Sequence, residues 1–290
     1  MQYFYTKNKS SIVAFIVGGR FSPGNGFKII GAHTDSPNLK LKPVSKREAS
    51  GTVQLNVETY GGGLWYSWFD RDLSIAGRVI TRKQINNESH FDSSIVHISR
   101  PILRIPSLCI HLKTPEEMES FKVNKEDHLV PILCGAVKSS LSSSENKTRE
   151  EQTDTWQSDQ PIELLDVLAE ELHCRREEIA DFELSLYDTQ PAAITGARRE
   201  YLCSSRIDNL ASCFVAIDAL IDHSSGSNLD EDEDVSLVAL FDHEEVGSGS
   251  NVGAGSPLIR DGVARITDAL ASLSSQSDSS LDTLQSALSK

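Results

Sequence analysis

The chain has 290 residues, enough for one large domain or two ordinary ones, and 39% of them are hydrophobic, which supports a packed core. A formal net charge of −14 argues against a nucleic-acid or anionic-membrane partner, both of which need a basic face. No apolar run approaches the ~20 residues that span a bilayer, and five scattered cysteines (Cys109, Cys134, Cys174, Cys203, Cys213) with no Cys-x-x-Cys pair argue against a disulfide framework and fit a reducing cytoplasm.

Residues 11–18 read as a first strand; the run follows Lys7 and Lys9 but is short for a secretion signal and lacks a cleavage site. Pro23, Gly24 and Gly26 mark a turn. Phe27 to Ala32 is a second strand that delivers His33-Thr34-Asp35-Ser36-Pro37. Residues 38–135 carry short extended runs broken by Gly and Pro, the punctuation of a mostly β region. Lys138 to Gln160 is polar and reads as a mobile loop. Ile162, Leu165, Leu168, Ala169 and Leu172 share a helix face, and Phe182, Leu184 and Leu186 alternate as in a strand. A second helix places Leu210, Cys213, Phe214, Ile217, Leu220 and Ile221 on one face, with Asp208 or Asn209 at its N-cap. Val235 to Phe241 is a buried strand, and Asp242-His243-Glu244-Glu245-Val246-Gly247-Ser248 turns away from it. From Ala271 the tail is Ser-rich, with weak helical character at Leu281, Leu284 and Leu288. The expected architecture is an α/β domain from 1–38 and 196–290, joined into one sheet, around a β-rich insertion over 39–195 with its mobile loop near 138–160.

Three segments end an element with a ligand-type side chain: His33 and Asp35, then Asp208, then Glu244 and Glu245. Taken singly, each has a plain structural reading: a satisfied His, a helix N-cap, a solvated acidic turn. Together, in this order, they point to a metal site, because open α/β sheets gather ligands beyond the carboxyl ends of their strands. Mixed His, Asp and Glu donors suit zinc in a hydrolytic site. Asp35 is placed to hold the second ring nitrogen of His33. Asp208 has two oxygens with which to bridge a metal pair about 3.5–4 Å apart. Neighbouring residues on extended backbone point in different directions, so Glu245 can ligate while Glu244 moves a proton between water and the leaving amine. Other motifs are weaker. Gly61-Gly62-Gly63 lacks the rest of a phosphate loop. Trp65, Trp68 and Phe69 read as core or interface, Cys203 and Cys213 as buried helix-face residues, and His111 and His128 as structural, the alternative being a reach into a neighbouring subunit's site. His243 reads as lying behind the ligands or facing solvent.

Longer motifs carry a family resemblance. They are Ile30-Gly31-Ala32-His33-Thr34-Asp35-Ser36-Pro37, Glu58-Thr59-Tyr60-Gly61-Gly62-Gly63, Trp68-Phe69-Asp70-Arg71-Asp72-Leu73, Asp188-Thr189-Gln190-Pro191-Ala192, Arg206-Ile207-Asp208-Asn209-Leu210 and Glu244-Glu245-Val246-Gly247-Ser248. With them the chain resembles the aspartyl aminopeptidases, cytosolic di-zinc exopeptidases, from about Tyr3 to about Pro257. The resemblance implies removal of N-terminal Asp or Glu from peptides. It implies two zinc ions per subunit, a β-rich dimerisation domain interrupting the α/β catalytic domain, and homo-oligomers, typically dodecamers. It puts a zinc ligand at His33, a bridging ligand at Asp208, the general base at Glu244, a ligand at Glu245 and the orienting residue at Asp35. The chain departs from the family after Gly255, where no counterpart of a further Asp ligand, a His ligand or a basic specificity residue is found. Ser107 stands where the family has a His, and the start looks clipped. The expectation is therefore a truncated member. It is a zinc aminopeptidase or, alternatively, a catalytically inactive paralogue or isoform acting as an oligomerisation or regulatory partner. A purely structural protein would instead keep His33, Asp208 and Glu245 far apart.

Overall fold

A computed structural model describes residues 2–136, 156–273 and 286–287. In chain order its elements are β1 (Gln2–Lys7), β2 (Ser11–Val17), β3 (Phe27–His33), β4 (Asn38–Ala49), β5 (Thr52–Tyr60), β6 (Leu73–Ile85), β7 (Glu88–His97), α1 (Pro115–Glu119), β8 (Ile132–Gly135), α2 (Ile162–Leu172), β9 (Ile179–Asp188), β10 (Ala193–Thr195), β11 (Tyr201–Cys203), α3 (Ile207–Ser225), β12 (Val235–Phe241) and α4 (Leu258–Leu273). The chain divides into two compact units, Met1–Ser36 with Arg206–Lys290, and Pro37–Ser205.

The first unit is built on β12. Its sequence is apolar towards both faces, so it can bury itself only at the centre of a covered sheet. The strand order is β1-β2-β12-β3. β12 runs antiparallel to β2 and parallel to β3, in register from Val235 opposite Phe27 to Phe241 opposite His33. Leu237, Ala239 and Phe241 pack with Val13 and with Ile266 of α4. Val238 and Leu240 pack on the other face with Cys213 and Ala216 of α3. Helix therefore covers each side.

Several expectations change in this unit. α4 is an added helix: Ile259, Val263, Ile266 and Leu270 recur at helical spacing and fix its buried face. β1 is an added edge strand, with Tyr3 stacked on Phe15 at 5.3 Å between ring centres. On α3 only part of the expected apolar face is covered. Cys213 and Ala216 are buried, with Ile217 and Leu220 against them, whereas Leu210, Ile221 and, at 70%, Phe214 are exposed. Leu281, Leu284 and Leu288 lie outside the described residues.

The second unit is a six-stranded sheet in the order β7-β6-β9-β4-β5-β8, antiparallel throughout, with a separate β10-β11 hairpin. Alternation sets its core: Leu73, Ile75 and Val79 of β6 and Leu184 and Leu186 of β9 are fully or almost fully buried with Leu39, Leu55 and Trp65. Full burial of each such leucine is worth about 1.5–3 kcal/mol. α2 closes this core through Leu164, Leu165 and Leu168, while Ile162 is 49% exposed, so its buried stripe runs through Leu164 instead. Trp68 and Phe69 pack against the same core. Cys203 is exposed on β11 and not on a helix, since α3 begins only at Ile207. His128 accepts the Asn124 N–H at 3.0 Å through Nδ1 and stacks on Phe121, a structural duty.

The polar segment expected to be mobile ends sooner than its composition implies. Trp156–Asp159 form a short 3-10 turn, with Trp156 edge-on to Phe182 at 5.0 Å. Gln160 is 1% exposed and donates to the Pro43 carbonyl at 2.7 Å, so burial with satisfied amide groups fixes this end. The rest of that segment, 138–155, lies outside the described residues. Among the described residues no helix is long and apolar enough to cross a membrane.

Candidate metal centre

β3 and β12 are parallel and end level, so the residues that leave them emerge side by side. The β3 exit is pinned by Thr34, whose N–H donates to the Phe241 carbonyl at 2.7 Å and whose hydroxyl donates to the Ser10 carbonyl at 2.9 Å. The β12 exit is pinned by buried Ser11. Its Oγ accepts the Asp242 N–H at 3.0 Å, and its hydroxyl donates to the Val252 carbonyl at 2.8 Å. The chain then turns through His243 (φ 62°) into a 3-10 turn over Glu244–Val246. Gly247 closes that turn at φ 95°, where a side chain would be strained. The His243 Nδ1 lies 2.8 Å from Ser250 Oγ, within its own loop.

At this exit the donor atoms of His33, Glu244 and Glu245 all come within 4.8 Å of one another. His33 Nε2 lies 3.9 Å from Glu244 Oε2 and 3.3 Å from Asp208 Oδ1. Asp208 is 85% exposed and flanks the tighter group of three. Asp208 (φ −82°, ψ 110°) and Asn209 (φ −119°, ψ 19°) are both non-helical, so the regular turns of α3 begin only after them, where the sequence placed the start of the helix. The Asp208–Asn209 peptide bond is cis. Ser36 ties this stretch to the β3 exit by donating to the Asp208 carbonyl at 3.1 Å.

Asp35 has more contacts than its spacing from His33 suggests. His33 Nδ1 lies 3.0 Å from the Asp35 backbone oxygen and 3.4 Å from its Oδ1. The same carboxylate accepts the Glu244 N–H at 3.2 Å and the Glu245 N–H at 3.1 Å. One side chain thus links the imidazole to the Glu-Glu turn. Burial pushes the Glu245 carboxyl above its usual range, and the charges of Glu244, Asp35 and Asp208 push it the same way, with His33 opposing. A site that concentrates negative charge in this manner favours a cation.

All five residues singled out from sequence, His33, Asp35, Asp208, Glu244 and Glu245, meet at this one end of the sheet. The purely structural reading expects these residues to lie apart, whereas His33 is within 4.8 Å of the Glu245 donor and 3.3 Å of Asp208 Oδ1. One imidazole nitrogen with carboxylate oxygens fits a zinc-type donor set. Among the described residues no other group of three such side chains converges. Two neighbours escaped the sequence reading. Asn209 Oδ1 accepts the His33 N–H at 3.4 Å, and the Cys213 thiol donates to the His33 carbonyl at 2.9 Å. Their spacing of four was visible, but the target of both, one backbone residue on another element, was not.

The chain is similar to known proteins along nearly its whole length. A family profile described as aminopeptidase I zinc metalloprotease (M18) matches residues 1–288. A probable aspartyl aminopeptidase of Ricinus communis is 46% identical over 280 residues, covering 92% of this chain and 57% of its own length. A chain of the cryo-EM structure of the Ape4 and Nbr1 complex superposes with a TM-score of 0.82 at 41% identity, over 95% of this chain and 51% of that one. The S. cerevisiae mApe1 dodecamer structure superposes with a TM-score of 0.71 at 30% identity, over 93% of this chain and 55% of that one. The chain spans a little over half the length of the curated relatives it matches.

Proposed function

Because the chain belongs to the aminopeptidase I (M18) family of zinc metalloproteases, we propose that it is a zinc aminopeptidase removing N-terminal Asp or Glu from peptides. The observation that carries the reading is the convergence of His33, Glu244 and Glu245 at the level ends of two parallel strands. In this reading His33, Asp208 and Glu245 hold the metal. Bound zinc supplies Lewis acidity and a nucleophilic water at neutral pH. Glu244, the more exposed of the adjacent pair, takes the proton from the attacking water and returns it to the leaving amine. Asp35 orients the His33 ring and holds the Glu-Glu turn by accepting hydrogen bonds from the Glu244 and Glu245 N–H groups. The reading extends to a pair of zinc ions, with Asp208 as the bridging carboxylate.

The acidic substrate class rests on the relatives, which are named aspartyl aminopeptidases. We assign catalysis to residues 1–38 and 196–290 and assembly to the β-rich insertion over 39–195. A homo-oligomer is supported by the dodecamer formed by a relative. Cytoplasmic residence is supported by five free cysteines, and a net charge of −14 argues against a nucleic-acid or anionic-membrane partner. A second reading, an inactive assembly or regulatory partner, is favoured by one observation: among the described residues a single donor group converges. Hydrolysis of Asp- and Glu-initiated peptides by the purified chain decides between them. Turnover that a chelator abolishes and zinc restores supports the enzyme. Zinc uptake without turnover supports the inactive partner.

A further inference from the structure

The backbone of His33 is held from outside the sheet. Thr34 directs its N–H to the Phe241 carbonyl on β12, so the N–H and C=O of His33 face the open side of β3. A further strand would ordinarily pair there. Here the first turns of α3 supply two side chains in its place. Asn209 Oδ1 accepts the His33 N–H at 3.4 Å, and the Cys213 thiol donates to the His33 carbonyl at 2.9 Å. Both polar groups of one residue are therefore satisfied by residues four apart on a single element. Cys213 is itself buried among Ala216, Val238 and Leu240, which fixes its position from the core outward.

This matters because β3 is an edge strand, with Lys28 to Gly31 exposed. Thr34 holds this end from the β12 side, but the open side of an exposed edge frays unless something holds it there too. An imidazole projecting from a fraying residue would not keep its distance from Glu244 and Asp208. We propose that Asn209 and Cys213 are positioning residues for His33: together they clamp its backbone and so set where its Nε2 stands in the metal centre. The consequence for zinc rests on the metal site proposed above. The clamp itself concerns only the order of the β3 terminus.

The test uses the purified full chain and three variants, Asn209→Ala, Cys213→Ala and Cys213→Ser. Zinc affinity is read by chelator competition, and amide hydrogen exchange is read on peptides covering β2 and β3. Both Ala variants are expected to weaken zinc binding about tenfold, the scale seen when a partner behind a metal ligand is lost. Asn209→Ala is expected to speed exchange at the end of β3 and leave β2 unchanged. Cys213→Ser keeps a donor and is expected to recover most of the affinity lost in Cys213→Ala. A packing role predicts the opposite order, because a hydroxyl replaces sulfur in an apolar site. Wild-type affinity and exchange in both Ala variants, or a Ser variant no better than Ala, would overturn the proposal. A wild-type chain that takes up no zinc would remove the metal reading. The clamp would then stand or fall on the Asn209→Ala exchange alone.

Discussion

Strands β6 and β9 place Leu73, Ile75, Val79, Leu184 and Leu186 into one core. Strands β3 and β12 also pair, but β12 is buried along nearly its whole length while β3 is exposed through its middle. Their common feature is where they stop. They end level, and His33 at the end of β3 stands beside Asp35, Glu244 and Glu245 just beyond the two ends. In the antiparallel pair the useful information is the side-chain period along the strand. In the parallel pair it is the position of the strand ends. Core and chemistry in this chain therefore answer to different features of the backbone.

That contrast can be broken by separating metal binding from stability. His33→Ala should weaken zinc binding at least about 100-fold, more than the loss of a partner behind a ligand costs, with little change in thermal midpoint. Chelator competition and a melt on the same sample check both. Leu184→Ala, in the β6–β9 core, should do the reverse. It should cost about 2–5 kcal/mol in denaturant unfolding and leave the zinc affinity of the folded protein unchanged. A large zinc effect from Leu184→Ala, or a collapse in stability from His33→Ala, would end the distinction.

A smaller effect sharpens it through a pH-sensitive group of the first unit that lies outside the metal centre. Burial by itself raises the Asp232 carboxyl, but Lys28, the Asp234 N–H and His223 outweigh it and hold the group below its usual range. A carboxyl with a depressed folded value binds its proton less readily when folded. It therefore stabilises above its unfolded value, and that contribution is lost as pH falls through the folded one. Asp232→Asn should cost about 1 kcal/mol at neutral pH and flatten the acid side of the stability curve. An unchanged acid limb would show that the Lys28–Asp232–His223 group is not the sensor. The smallest expected effect is Phe214→Glu on the exposed part of α3, which should change stability by no more than about 0.5 kcal/mol while raising solubility.

The legible parts of the fold were those written as a period or as an uninterrupted apolar run. β2, β3, β12 and β9 belong here, and so does α2 apart from which turn it buries. α4 is equally legible through Ile259, Val263, Ile266 and Leu270, although the Ser-rich sequence that follows it masks where the helix belongs. β1 was not, because an edge strand with exposed Phe4 lacks an alternating buried face. The outer stripe of α3 shows a limit of periodicity: it aligns Leu210, Phe214 and Ile221 without saying whether anything covers them. At the site, residue types and their place at element ends marked the five acidic and imidazole groups. The second task of Asp35, holding two amides 209 and 210 residues away, required the turn to be seen folded against it.

X-ray absorption at the zinc edge of the zinc-loaded chain tests the central claim most directly, because it reports the ligand atoms themselves. The level ends of β3 and β12 predict a shell of nitrogen and oxygen only, near about 2.0–2.1 Å, with an imidazole contribution that His33→Ala removes. Sulfur scattering near about 2.3 Å, or an imidazole signal that survives His33→Ala, would place the metal elsewhere and contradict the account.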